Sequence, residues 1–321
     1  MSAPRRGLAI GCGGTLGFAW TAVLLGAVEE ALGWDPRTAD ALIGTSAGSE
    51  LVAALGAGRS PADLLAALDG SPHADPVLSA HVDRAPGPVP PRPALGFPGL
   101  GLVRTGLRTR RPYTAAAGLL PLGRGDASWL RAYGDALAAP HGWTAHQRTR
   151  IVASDTGTGE RVAFGSPGAP RAELGEAIAA SWGIPGWFPA VEIAGRRYLD
   201  GGSVSSVSAD LLLPLELDEV VVLAPMTSRG GARARGLSRV ERILRAQMTR
   251  GLDREVARLE AAGTRVIRIE PAAADLAAMG ANFMRARRRA VTLATARRTA
   301  ADTVAEALGH GERQGTRARP N

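Results

Sequence analysis

Twice within its first 58 residues the chain runs from a short apolar stretch through a turn of small residues into a helix-forming stretch. Residues 7 to 10, GLAI, read as a buried strand. The glycine-rich loop GCGGTLG follows, and then a helical run from Phe18 to about Leu32. Residues 39 to 44, ADALIG, read as a second strand, and SAGSELVAALGAG carries apolar residues at helical spacing until Gly56 and Gly58 stop it. Strands joined through crossover helices pair in parallel, so the expected fold class is α/β with a parallel-sheet core and crossover helices.

Downstream the pattern breaks and then returns. Residues 70 to 125 carry ten prolines, which forbid long regular elements and mark an insertion, a lid or a loosely ordered cap. From Arg150, RIVASDTGTGERVAFG reads as a hairpin, GEAIAASWGIPGWF as a helix stopping near Pro185, RRYLDGG as a strand ending in glycines, and DEVVVLAP as a buried parallel strand. Residues 237 to 261 and 285 to 308 read as arginine-rich helices, with the strand TRVIRIEP between them. The expected organisation is one α/β domain over 1–310, with 70–125 as its Pro-rich insertion or lid and a disordered tail over 311–321.

Composition narrows the chemistry. All 38 basic residues are arginine, so a Ser-Lys catalytic pair is excluded and the net charge of +8 is weak evidence for a polyanionic partner. The sole cysteine, Cys12, excludes an intramolecular disulfide and a thiolate metal cluster, and fits a reducing compartment. The apolar run after Arg5 and Arg6 is broken by Gly11, Gly13, Gly14 and Gly17, which does not suit an export-signal core. The expected setting is cytoplasmic, with any membrane contact peripheral.

Three segments carry candidate chemistry. GTSAG, residues 44 to 48, fits G-x-S-x-G between a strand and a helix, where a serine hydroxyl stands clear of the sheet and faces helix N-terminal amides. Taken alone, Ser46 is equally well a helix-capping serine. In GCGGTLG the backbone N–H groups around Gly13 and Gly14 could hold an oxyanion, each donor being worth about a hundred- to a thousandfold in rate. A dinucleotide-binding reading of the same loop fails at its third glycine position, which is Leu16. None of His73, His81, His141, His146 or His310 has the setting of a fixed base, although His310 would suit the chain order of a Ser-His-Asp hydrolase. Asp200 in YLDGG offers another base: a strand-end carboxylate whose burial would raise its pKa, or else a simple Asp-Gly-Gly turn.

Together these motifs resemble the patatin-like phospholipase family. The resemblance rests on Gly13-Gly14-Thr15-Leu16-Gly17, on Gly44 to Gly48, on Ala180-Ser181 with Pro185, and on Asp200-Gly201-Gly202, in that order over about residues 8 to 225. It implies a Ser-Asp dyad with Ser46 as nucleophile and Asp200 as base, an oxyanion hole at Gly13 and Gly14, no catalytic histidine, no metal and no cofactor. The implied activity is cleavage of lipid carboxyl esters, of phospholipase, lysophospholipase or lipase type, through an acyl-enzyme. Two positions depart from the family pattern: Cys12 stands for a glycine and Leu16 for a basic residue, leaving open a catalytically weak scaffold that binds lipid or a partner.

Two further stretches invite partners. Residues 93 to 113 mix apolar residues with Arg104, Arg108, Arg110 and Arg111, and read either as a lid touching an anionic membrane or as a solvated loop. The helix with Arg235, Arg239, Arg242 and Arg245 interleaves Glu241, Glu255 and Glu260 and lacks aromatic residues, so a solvated face is expected and no nucleic-acid partner. Trp182 and Trp187 are expected in the wall or core, at best lining an acyl pocket.

Overall fold

The structure, a computed structural model, describes residues 3–84, 86–230 and 238–317. In chain order its elements are β1 (Arg6–Ile10), α1 (Gly14–Leu32), β2 (Ala41–Thr45), α2 (Ala47–Gly56), α3 (Pro61–Leu68), α4 (Pro76–Asp83), α5 (Leu100–Arg108), α6 (Pro112–Leu119), α7 (Ser128–Leu137), β3 (Thr149–Asp155) and β4 (Arg161–Phe164). They continue as α8 (Leu174–Ser181), β5 (Val191–Ile193), β6 (Arg196–Asp200), β7 (Glu219–Leu223), α9 (Ser238–Ala261), β8 (Arg265–Ile269), α10 (Ala273–Met279) and α11 (Arg289–Arg317).

These strands form one mixed sheet in the order β5-β6-β3-β2-β1-β7-β8, with β4 paired to β3. The run from β3 through β2, β1 and β7 to β8 is parallel, as the two strand-turn-helix units require. Its strands are apolar on both faces, and side chains such as Leu8, Ile10, Leu42, Val221 and Ile267 are fully buried between the covering helix layers. Among the described residues, α1 alone is long and apolar enough to cross a membrane. Here it is a core helix, packed on α3 and α11, with Leu16, Trp20, Leu24 and Leu25 sealed from solvent.

The register along β3 decides where the site lies. On one edge β4 pairs antiparallel with Ile151 to Ser154. The opposite edge is shared: β2 occupies it up to Thr45 opposite Val152, and β6 takes over with Asp200 opposite Ala153. The carboxyl ends of β2 and β6 therefore meet end to end, which brings together two residues 154 positions apart in sequence (200 minus 46).

Several expectations need correction. Helix α1 starts at Gly14 rather than Phe18, because Gly14 itself supplies the left-handed turn (φ 56°) that opens it. The Pro-rich insertion is narrower than residues 70–125: α4 buries Leu78, His81 and Val82 in the core, while short helices α5 and α6 punctuate the remainder. The tail expected to be disordered from residue 311 continues α11 as far as Arg317. Extending an existing helix adds a hydrogen bond for each residue ordered, which outweighs isolated glycines. Residues 318–321 of that tail, and Arg235 of the arginine-rich helix, lie outside the described residues. The face of α9 is not simply solvated either: Glu241, Arg245 and Glu255 are buried, because α9 packs against the segment after β6 and the carbonyls after β7.

Candidate active site

Ser46 sits between β2 and α2 with φ 55° and ψ −123°, a backbone conformation that a non-glycine residue holds only when its surroundings impose it. The imposition comes from glycines. A Cβ on Gly48 would lie 2.1 Å from the Ile10 carbonyl oxygen, and one on Gly44 would lie 2.2 Å from the Gly48 oxygen. The start of α2 is thus pressed onto the ends of β1 and β2, and the turn has no room to relax. The Ser46 N–H donates to Ser181 Oγ at 2.8 Å, and Ser181 Oγ donates to the Val152 carbonyl at 2.6 Å, which gives the Ala-Ser pair on α8 its physical purpose.

The strand register delivers Asp200 to the same point. Its carboxylate accepts from the Gly202 N–H at 2.7 Å and lines the same cavity as Ser46. Burial pushes its pKa up to about 7, with the Gly202 N–H and then the Ser46 hydroxyl holding the rise back. Gly201 allows the close approach: a Cβ there would lie 2.7 Å from the Val152 oxygen.

The glycine-rich loop faces the pair across a cavity of about 100 Å³, lined by Ser46, Asp200, Cys12, Gly13 and Gly14. The Gly11, Cys12, Leu16 and Gly17 N–H groups are bonded to the Leu223, Ser206, Phe283 and Gly13 carbonyls. Among the described residues, the N–H groups of Gly13, Gly14, Thr15, Ala47 and Gly48 have no protein acceptor. Helix dipoles at the starts of α1 and α2 add to the positive potential there. A Cβ at Gly14 would meet Met284 Sδ at 2.7 Å, so the loop leaves no space for a side chain. Both departures from the family pattern are accommodated: Leu16 is fully buried in the core, and Cys12 keeps its thiol protonated, its pKa pushed up by burial and by Asp200.

The rest of the cavity is apolar, with Ile184, Pro185, Trp187, Met226, Leu244, Met248 and Phe283 in its wall and Tyr113 at its side. Trp187 does line the cavity, whereas Trp182 is sealed in the core. Sequence reasoning missed the contributions of α9 and of Tyr113, which come from distant segments with no motif of their own. His81 also needs correction, since it is fixed after all: Nε2 lies 2.7 Å from Glu50 Oε1 and its ring stacks on Tyr133 at 3.7 Å. Among the described side chains, neither His81 nor any other histidine lines the cavity. The His310 side chain lies outside the described residues.

A parallel sheet that presents a strained serine at a strand-to-helix turn, over a buried carboxylate and facing uncommitted amides, is the architecture that acyl-hydrolase chemistry requires. The family comparison agrees on the class. A family model for patatin-like phospholipases matches residues 8–213, and the chain belongs to that family, whose members are generally hydrolytic lipid esterases. Among solved structures, VipD from Legionella pneumophila is similar over 97% of this chain and 68% of its own, with 12% identity and a TM-score of 0.41. No curated protein matches.

Proposed function

We propose that the protein hydrolyses lipid carboxyl esters through an acyl-enzyme on Ser46, with Asp200 as the general base. The observation that carries this is that Ser46, strained at its strand-to-helix turn, and Asp200, a buried carboxylate whose pKa is pushed up to about 7, line one largely apolar cavity. Ser46 Oγ attacks the ester carbonyl as its proton passes to Asp200. The tetrahedral oxyanion is taken up by the N–H groups of Gly13 and Gly14. Collapse breaks the bond to the leaving alcohol, which takes the proton from Asp200. Water, deprotonated by the same carboxylate, then releases the acyl group and restores the serine. The acyl chain lies against Trp187, Met226, Leu244 and Met248.

A base with a pKa near 7 predicts the pH profile. Asp200 must be ionised to accept the proton, so kcat/KM for a medium-chain acyl ester should rise with pH and level off above an apparent pKa of about 7. A profile already flat at pH 5 would remove Asp200 from this role. Absence of turnover on any ester at any pH would favour the lipid-binding scaffold.

The reading includes peripheral contact with an anionic membrane. Seven of the nine large apolar side chains exposed among the described residues lie from Val89 to Leu120, with Leu95 99% and Phe97 65% exposed. Between Asp83 and Asp126 the chain has seven arginines and no acidic residue. Apolar side chains ringed by arginines suit insertion into a negatively charged interface, where each arginine near the surface is worth about 1 kcal/mol. The protein should co-sediment with phosphatidylglycerol-containing vesicles, and L95D/F97D should weaken that binding at least about tenfold. Unchanged co-sedimentation of the double variant would contradict this contact.

A further inference from the structure

The segment after Asp200 has no regular structure of its own to fix it. Residues 204 to 208, VSSVS, link two short 3-10 turns, and Ser208 holds a left-handed φ of 66°. Yet all three catalytic elements lean on this stretch. The Val204 and Ser205 N–H groups both donate to the Gly201 carbonyl at 3.0 Å, which ties it to the Asp-Gly-Gly turn. The Ser206 carbonyl accepts from the Cys12 N–H at 2.8 Å, and a Cβ on Gly11 would lie 2.9 Å from that same oxygen, so the glycine-rich loop is pressed onto it. The Val207 carbonyl accepts from Thr45 Oγ1 at 3.1 Å, one residue before Ser46.

One side chain from a distant helix holds the stretch. The carboxylate of Glu255 on α9 accepts from the Ser205 hydroxyl and, at 3.0 Å, from the Ala209 N–H, so it grips both ends. Ser205 Oγ in turn accepts from the Ser208 N–H at 3.1 Å, which braces the left-handed residue. Arg161 on β4 reaches Glu255 Oε1 at 3.3 Å and keeps the buried charge paired. Glu255 is itself buried and lies outside the wall of the Ser46 cavity, so it touches no substrate there. Burying a carboxylate is costly, and an apolar side chain of similar volume would pack α9 as well. What the charge adds is direction, through charge-assisted hydrogen bonds aimed at two fixed points of the segment.

Resting on the acyl-hydrolase reading, we propose that Glu255 is a positioning residue for the reaction, a buried clamp on residues 204 to 209 that keeps the glycine-rich loop and the Ser46 turn in register with Asp200. Without the clamp, the Ser206 and Val207 carbonyls are free to shift, and the Cys12 and Thr45 backbones move with them. A displacement of about 1 Å between reacting groups costs on the order of a hundredfold in rate. Binding of the acyl chain, which rests on the apolar wall, is left alone.

The test counts working sites, so that lost structure and lost positioning read differently. Fluorophosphonate labelling run to completion gives the fraction of competent Ser46, and kcat and KM for p-nitrophenyl butyrate are then expressed per labelled serine. Glu255→Gln keeps the volume but gives up the charge and one acceptor, and Ser205→Ala removes the hydroxyl that Glu255 holds. Each should lower kcat per labelled serine at least about tenfold, with KM within about twofold of the wild type. The double variant should be no worse than Glu255→Gln, because both changes release one clamp. Arg258→Gln, which reaches the same charge network only through Asp210, should match the wild type. If Glu255→Gln does not fold, Ser205→Ala decides alone. A kcat per labelled serine within about twofold of the wild type, an equal loss in Arg258→Gln, or losses that multiply in the double variant would overturn the proposal and leave Glu255 a support of the fold. Failure of the underlying reading appears in the wild type itself, which would then take no label and turn over no ester, and the proposal falls with it.

Discussion

Asp200→Asn should all but abolish turnover while making the protein more stable at alkaline pH. Asparagine keeps the shape and still accepts the Gly202 N–H, yet it cannot take a proton from Ser46, and the loss of a positioned general base costs up to about ten-thousandfold in rate. The stability change follows from the same burial. Asp200 has a pKa of about 7 in the folded protein against an ordinary value of 3.8, so the folded state holds this proton more tightly than the unfolded chain. The stability associated with this group is complete below pH 4 and is lost as pH rises towards 7 and beyond, because the folded protein must then bury a charge. Removing that charge should stabilise the protein by about 2 to 4 kcal/mol at pH 9 and by nothing measurable at pH 3.5. Urea titration at the two pH values reads the difference. Equal destabilisation at both would mean that Asp200 holds the turn together rather than serving as a base.

Gly48→Ala should be among the most damaging methyl groups that can be added to the described residues. The new Cβ would lie 2.1 Å from the Ile10 oxygen and 2.9 Å from the Gly11 oxygen, both backbone atoms of a buried strand end with no freedom to move aside. Relief would require lifting α2 from the sheet, which would open the core around Leu51, Val52 and Leu55 and carry Ser46 away from Asp200. A loss above about 4 kcal/mol is expected, enough to leave the protein unfolded or insoluble. The neighbouring Gly58→Ala, where a Cβ meets nothing within 4 Å, should cost only the strain of its left-handed φ and serves as the control. Thermal melts of the two variants decide: a wild-type transition in Gly48→Ala would refute the crowding described at this turn.

The parts of this molecule legible in the sequence are those encoded over a dozen residues or fewer. Apolar runs marked β1, β2 and β7 because a buried parallel strand has no polar face to disguise it. GTSAG and YLDGG stood out because close backbone approach restricts both to small residues, and the structure places Ser46 and Asp200 in the wall of one cavity. What stayed hidden depends on distant partners. The shared edge of β3 that joins β2 to β6 is a matter of register, which no local pattern in either strand reveals. The burial of Arg245 is set by the Pro225 carbonyl it meets at 2.6 Å, and the burial of His81 by Glu50 and Tyr133, all far away in sequence. The arginines of α9 looked uniform along the helix. Only the fold separates buried Arg245, bridged to Glu241, from exposed Arg250 and Arg254, which form no ion pair among the described residues.

The most direct test of the account is intact mass after exposure to a fluorophosphonate, with Ser46→Ala and Asp200→Asn alongside. A serine activated by a buried base attacks the phosphorus, displaces fluoride and retains the phosphonyl group. The account predicts a single adduct on the wild type, none on Ser46→Ala, and labelling of Asp200→Asn slowed in proportion to its loss of turnover. An unlabelled wild type that is demonstrably folded, or an adduct that persists in Ser46→Ala, would contradict it.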